Sequence, residues 1–232
     1  MPARRHRLSL LLTVLLGVGL VWLASPRFLS GLYLSAVREA AAPPSPETAK
    51  EFGALLRAER ALRVAVAAQE DGRVWARLGG VRLALAEATG FDTTRGQALL
   101  ARADSALVRG LALSPAQPYG WTHLLQARLR RDGVSAETGR LLRMAIRTGP
   151  SEPALVLPRV DIGLLAWRRL DAAARDALAG QIRLAADRHL AALARLARRR
   201  HALAPVRAAL ADTPDRRRRF DAAYRRATGE SS

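Results

Sequence analysis

At 232 residues the chain has room for one domain of ordinary size and a short appendage. Half of it is apolar but only 5% is aromatic, and alanine, leucine and arginine, all good helix formers, dominate. Valine, isoleucine, threonine and tyrosine are too scattered to build a sheet, so the expected fold class is all-α. The absence of cysteine excludes a disulfide scaffold, thiolate metal sites and a cysteine nucleophile.

The formal charge of +18 comes from one lysine, Lys50, and 37 arginines set against 20 acidic residues. So lopsided a ratio, beside abundant alanine, leucine and glycine, fits a GC-rich coding sequence. Residues 1–30 hold four basic and no acidic residues, residues 31–186 hold 22 and 15, and residues 187–232 hold 12 and five. The last stretch carries the same surplus of seven as the middle one in under a third of its length. Only there is the charge dense enough to ask for a partner.

The chain opens with a basic segment, residues 1–7, containing Arg4, Arg5 and Arg7. An uncharged run follows from Leu8 to Ala24. As a helix it reaches about 25 Å, slightly short of the roughly 30 Å hydrocarbon core of a bilayer. Cleavage as a signal peptide fits poorly, because a cut after Ala24 leaves Trp22 at the −3 position and a cut after Ser25 is followed by Pro26. A buried core helix rarely has every face apolar and a basic cluster at one end. The expectation is an uncleaved anchor over 8–24, with the arginines cytoplasmic and the rest exported, which in a bacterium means the periplasm.

Residues 25–46 form a juxtamembrane segment and a stiff proline-rich linker. A helical domain is expected over 47–211 and a basic tail over 212–232. Ser45 and Pro46 open the first helix, which should end near Gly72. A second runs over about 73–89 to Gly90, and a third, capped by Asp92 or Thr93, runs to Leu113. A fourth runs from Pro118 to Gly133, and a fifth from Ser135 to Gly149. A sixth begins at Ser151 and should be kinked or delayed by Pro158, leaving 159–170 clean. Asp171 caps a long seventh helix extending to about Arg199, and Pro205 and Pro214 open two short terminal ones. Connections of two to five residues predict that neighbouring helices pack as antiparallel hairpins.

A spacing recurs through these helices. Trp75, Leu78 and Gly79 precede Ala103, Leu107, Gly110 and Pro115, while Trp121, Leu124 and Leu125 precede Thr138, Leu142, Ala145 and Pro150. The last four positions of both sets are separated by four, three and five residues. The pattern resembles the tetratricopeptide repeat, in which a large residue fills the groove of a helix pair and small ones let the helices approach. The departures are a 40-residue first unit, Leu125 for glycine and Thr138 for alanine. Two degenerate repeats flanked by capping helices are expected, and chance recurrence in an ordinary bundle is the alternative.

The wider layout resembles small bacterial inner-membrane proteins with tetratricopeptide-like periplasmic domains that accompany exopolysaccharide or O-antigen assembly. The segments that carry this likeness are Ala112-Leu-Ser-Pro-Ala-Gln-Pro-Tyr-Gly-Trp121, then Thr148-Gly-Pro-Ser-Glu-Pro153 with Arg159, and Leu164-Leu-Ala-Trp-Arg-Arg-Leu170, which contains Trp167. The resemblance implies protein partners in the inner membrane or periplasm and says little about activity.

No catalytic constellation is legible. His6, His123, His189 and His201 are not in metal-ligand spacing, and neither HExxH nor GxSxG occurs. Asp171 and Asp176 lie on different faces of a helix, and Asp171 reads as an N-cap. No cofactor is expected. Arg195, Arg198, Arg199 and Arg200 fall at a helix end that favours cations. Arg216, Arg217, Arg218 and Arg219 fall near a helix start that does not. That run is a solvated face, a contact for anionic lipid or polysaccharide, or a nucleic-acid contact, and export argues against the last. Phe220 and Tyr224, four apart, should dock their helix. The expected function is a non-enzymatic membrane-anchored scaffold in envelope polysaccharide biosynthesis or export. The alternative is direct binding of anionic polymer or lipid through the arginine-rich tail.

Overall fold

The computed structural model describes residues 49–228, and these are all-helical, without a strand. The basic segment 1–7, the expected anchor 8–24 and the linker 25–46 lie outside the described residues. Among the described helices none is long and apolar enough to cross a membrane.

The helices are α1 (Ala49–Ala68), α2 (Gly72–Thr89), α3 (Thr94–Leu113), α4 (Pro118–Asp132), α5 (Ala136–Arg147), α6 (Pro153–Ala166), α7 (Ala172–Arg188), α8 (Leu190–Arg199), α9 (Leu203–Ala209) and α10 (Pro214–Thr228). Their starts follow side-chain chemistry. Asp71 accepts from Arg73 N at 2.7 Å, Thr93 accepts from Gly96 N at 2.9 Å, and Asp171 accepts from Ala174 N at 2.8 Å. Each occupies an N–H that the first helical turn leaves unpaired. Pro118, Pro153 and Pro214 open α4, α6 and α10, where a missing N–H costs nothing.

Two expectations fail. The sixth helix is not delayed by Pro158 but runs through it, from Pro153 to Ala166, and ends in a 3-10 turn over Trp167–Arg169. A proline here forfeits one bond, to the carbonyl of Ala154, and Ala154 is exposed, so water can take that carbonyl. The long seventh helix is broken at His189 (φ −141°, ψ 39°) into α7 and α8. The apolar stripe continues across the break through Ile182, Ala185, Leu193 and Ala197, so periodicity does not register it. The bend turns α8 toward α6 and α10.

Consecutive helices from α1 to α9 pack against each other, most extensively α2 on α3, and the pairs α4–α5 and α6–α7 are likewise in contact. The first members of these pairs also touch in series, α2 to α4, α4 to α6 and α6 to α8. The α2–α3 crossing is set by glycine. A Cβ on Gly110 would lie 2.6 Å from Ala76 N and 2.8 Å from Gly72 O, and one on Gly79 would lie 2.4 Å from Leu107 Cγ. At Gly110 the backbones meet without side chains between them, and at Gly79 the Leu107 side chain takes the space of a Cβ. A small core joins α1, α2 and α3 around Leu62, Leu78 and Ala106, and a larger one runs from Leu83 to Ala223. Phe220 is fully buried in the larger core, its ring tilted against that of Tyr224 at 5.9 Å between centroids, and its burial docks α10 on the same body as the preceding helices.

Candidate anion-binding groove

The expected repeat-core residues divide by burial. Leu78, Gly79, Ala103, Leu107, Gly110, Leu124, Leu125, Leu142 and Ala145 are buried, while Trp75, Trp121 and Trp167 are half-buried and Pro115 and Pro150 are exposed. Trp121 reaches back rather than filling a groove within its own pair: its Nε1 donates to the carbonyl of Pro115 at 2.7 Å. The Trp167 ring lies under the Arg175 guanidinium, 5.2 Å from centroid to Cζ. Thr138, which stands where the repeat pattern has alanine, is buried and accepts from Ser135 N at 3.0 Å, so it helps to cap α5.

The arginine run at the start of α10 is tied down more than its sequence suggests. Arg216 meets Asp187 of α7 through two hydrogen bonds, Nε to Oδ1 at 2.7 Å and Nη2 to Oδ2 at 2.9 Å. Arg219 approaches the same carboxylate at 3.7 Å, and Arg218 pairs with Asp215. The hydrogen bond from Arg216 holds the Asp187 carboxyl below its usual range. Arg217 has no acidic partner among the described residues. The fork geometry of Arg216 on Asp187 supplies the structural reason for an arginine where the helix dipole disfavours one.

Charge without a counter-ion lies on the other side of the same helices. An open groove of about 770 Å³ runs between α8 and α10. Its walls carry Arg195, Arg198 and Arg199 from α8 and Arg226 from α10, and its floor is Leu190, Ala191, Ala223 and Ala227. Arg199 is shared with Asp161 of α6 at 3.1 Å. Asp161 is pushed up by burial, but hydrogen bonds from Arg200 and Arg199 bring it below the usual range. Arg198 donates to the carbonyl of Ala227, and Arg226 Nε to that of Ala222. Arg195, Arg198 and Arg226 have no acidic partner among the described residues. Helix C-termini make cations tolerable there but supply no counter-charge.

A second hollow, of about 410 Å³ between α5 and α7, is lined by Arg140, Arg143 and Arg147 with Met144, Ile146 and Ala177. Here the charge is largely answered, because Arg143 pairs with Asp171 and Arg140 with Glu137.

Beyond the residues the sequence marks, polar side chains meet around the turn after α5. Tyr119 donates to Glu152 at 2.8 Å, and Gln181, buried on α7, donates to the carbonyl of Pro150 at 2.7 Å. Burial and the Glu152 carboxylate raise the Tyr119 hydroxyl above its usual value. His123 lies on α4 against Gly80 of α2, whose added Cβ would sit 2.7 Å from Nδ1. The ring is partly exposed, but Nδ1 is sealed, and burial pushes the imidazole down to about 4. Among the described residues no group of three or more metal-ligating side chains comes together. Asp171 caps α7, and Asp176 is exposed on the same helix.

Compared with known proteins, the chain matches no family model, no curated protein and no solved structure.

Proposed function

We propose that the protein is a non-enzymatic interaction scaffold, anchored in the bacterial inner membrane by Leu8 to Ala24, with its helical domain in the periplasm and a role in envelope polysaccharide biosynthesis or export. The observation that carries the scaffold reading is the serial contact of α2, α4, α6 and α8. Contacts of that kind make a quasi-one-dimensional stack, which presents an extended surface built for partners rather than a pocket built for chemistry. The two sequence stretches that resemble tetratricopeptide repeats fall on α2–α3 and α4–α5, which supports the reading. The membrane and periplasmic parts of the reading rest on the uncharged run and the arginines before it.

Crosslinking followed by copurification from solubilised membranes tests this reading. Recovery of a reproducible protein partner is expected, and recovery of the bait alone in several detergents would overturn it. A C-terminal phosphatase fusion tests the compartment and should be active.

A second reading, direct binding of anionic polymer or lipid, is favoured by the three groove arginines that lack acidic partners. Its locus is then Arg195, Arg198 and Arg226 rather than the run from Arg216 to Arg219.

A further inference from the structure

We infer that the groove between α8 and α10 receives an acidic amphipathic helix from a partner protein, an inference that rests on the scaffold reading and gives its partner a chemistry. The floor is apolar and low. Ala223 and Ala227 lie one turn apart on α10 and Ala191 faces them from α8, so a leucine or alanine ridge can seat closely. The walls are cationic, and Arg195, Arg198 and Arg226 find no carboxylate among the described residues. A helix with an apolar ridge flanked by glutamate or aspartate satisfies both at once, and guanidinium forks suit carboxylates in particular. The volume of about 770 Å³ accommodates several side chains.

Other occupants fit less well. No aromatic side chain lines the groove, which removes the stacking platforms on which single-stranded nucleic acid and sugar rings rely. A bilayer surface is broad and does not enter a recess between helices. The chain's own first 48 residues carry five arginines and two glutamates, so their charge has the wrong sign.

The test uses the full chain in neutral detergent micelles and a labelled synthetic helix of about 20 residues, roughly 30 Å long, with leucine and alanine on one face and glutamate on both flanks. Anisotropy should show saturable binding that weakens as salt rises. The double variant Arg195→Gln/Arg226→Gln should weaken binding about fivefold, the sum of two exposed charge contacts. Ala191→Trp, at an exposed position that tolerates bulk, should obstruct the floor and weaken binding as well. Circular dichroism confirms that both variants are folded. Equal binding of a peptide with glutamine for glutamate, or unaltered binding by both variants, would overturn the inference. So would retention of phosphatidylglycerol vesicles or alginate but not of the peptide, which would make the groove a polyanion or lipid site. Crosslinked copurification with the double variant separates the two proposals. Partners kept by both wild type and variant remove the groove and leave the scaffold, and partners found with neither remove the scaffold.

Discussion

Arg159 on α6 donates from Nη1 to the carbonyl of Gly149 at 2.7 Å, with its side chain wholly buried. Its Nε lies 3.3 Å from the Thr122 hydroxyl of α4, and no carboxylate is hydrogen-bonded to it. Burial brings its pKa down to about 10, a drop that the charges of Glu152 and Tyr119 oppose, so the guanidinium stays charged at neutral pH. Beside it Gln181 holds the carbonyl of Pro150. Two buried side chains from later helices thereby bond consecutive carbonyls of the turn that leaves α5, the first of which also accepts from Glu152 N at 3.5 Å. Arg159→Ala should lower the unfolding free energy by about 3 kcal/mol, from a cavity and two abandoned acceptors. Arg159→Met, which keeps the volume, should cost about 1–2 kcal/mol. Urea unfolding at constant m-value compares them, and equal losses would show that the hydrogen bonds matter and the volume does not.

Two glycines should respond with opposite signs. Gly110→Ala drives a methyl into the backbone of α2, 2.6 Å from Ala76 N, and should cost about 1–3 kcal/mol. Gly180→Ala in the middle of α7 meets nothing within 4 Å and should stabilise by about 0.5–1 kcal/mol. Thermal melts of the two variants suffice.

His123 should make stability fall in mild acid. Its folded-state pKa, about 4, is below the ordinary 6.5, so the unfolded chain binds the extra proton between those values. Its contribution is complete above pH 6.5, declines as pH falls toward 4, and is constant below. Allowing for the partly exposed ring, the loss is about 2 kcal/mol. His123→Gln should flatten the stability profile across that window, and an unaltered slope would exclude the ring as its source.

Trp121→Phe removes the indole N–H that reaches Pro115 together with part of the ring and should cost about 1–2 kcal/mol, whereas Trp121→Ala should cost about 2–3 kcal/mol. Both are measured by chemical denaturation. A half-buried ring leaves a smaller void than a fully buried one, which sets the second value below the usual range for large aromatic truncations.

His201 has φ 50°, with Ala202 N bonded to Ala197 O at 2.8 Å and His201 N to Arg198 O at 3.1 Å. This is the Schellman closure of α8, with a histidine where glycine is favoured. His201→Gly should therefore stabilise by about 0.5–1 kcal/mol. An unchanged midpoint in urea would show that the strain is relieved elsewhere.

Much of the helical layout was legible because the punctuation is chemical: Thr93, Pro118, Ser135 and Asp171 mark starts that the backbone adopts. The break at His189 was not legible, since no glycine or proline stands there and the apolar stripe runs on. Pro158 misled because the cost of a helical proline depends on whether the freed carbonyl reaches water, and only the packing shows that Ala154 is exposed. The groove was half legible. The density of arginine near the C-terminus was visible, but linear spacing cannot show which carboxylate lies opposite. Asp187 lies 29 residues before Arg216 in sequence and 2.7 Å away in space. In the sequence Arg195 reads as a cation at a helix end and Arg226 as one of many, and only the bend before α8 and the docking of α10 bring both to one groove.

The seating of Phe220 has an implication for assembly. A row of helix pairs is by construction extendable, each face inviting one more layer, and a bare last face is an invitation to fibres. Here the last layer is folded back on the row by the chain itself, with an aromatic wedge inside and guanidiniums outside. A second copy approaching that face would bring guanidiniums against guanidiniums, which disfavours stacking there.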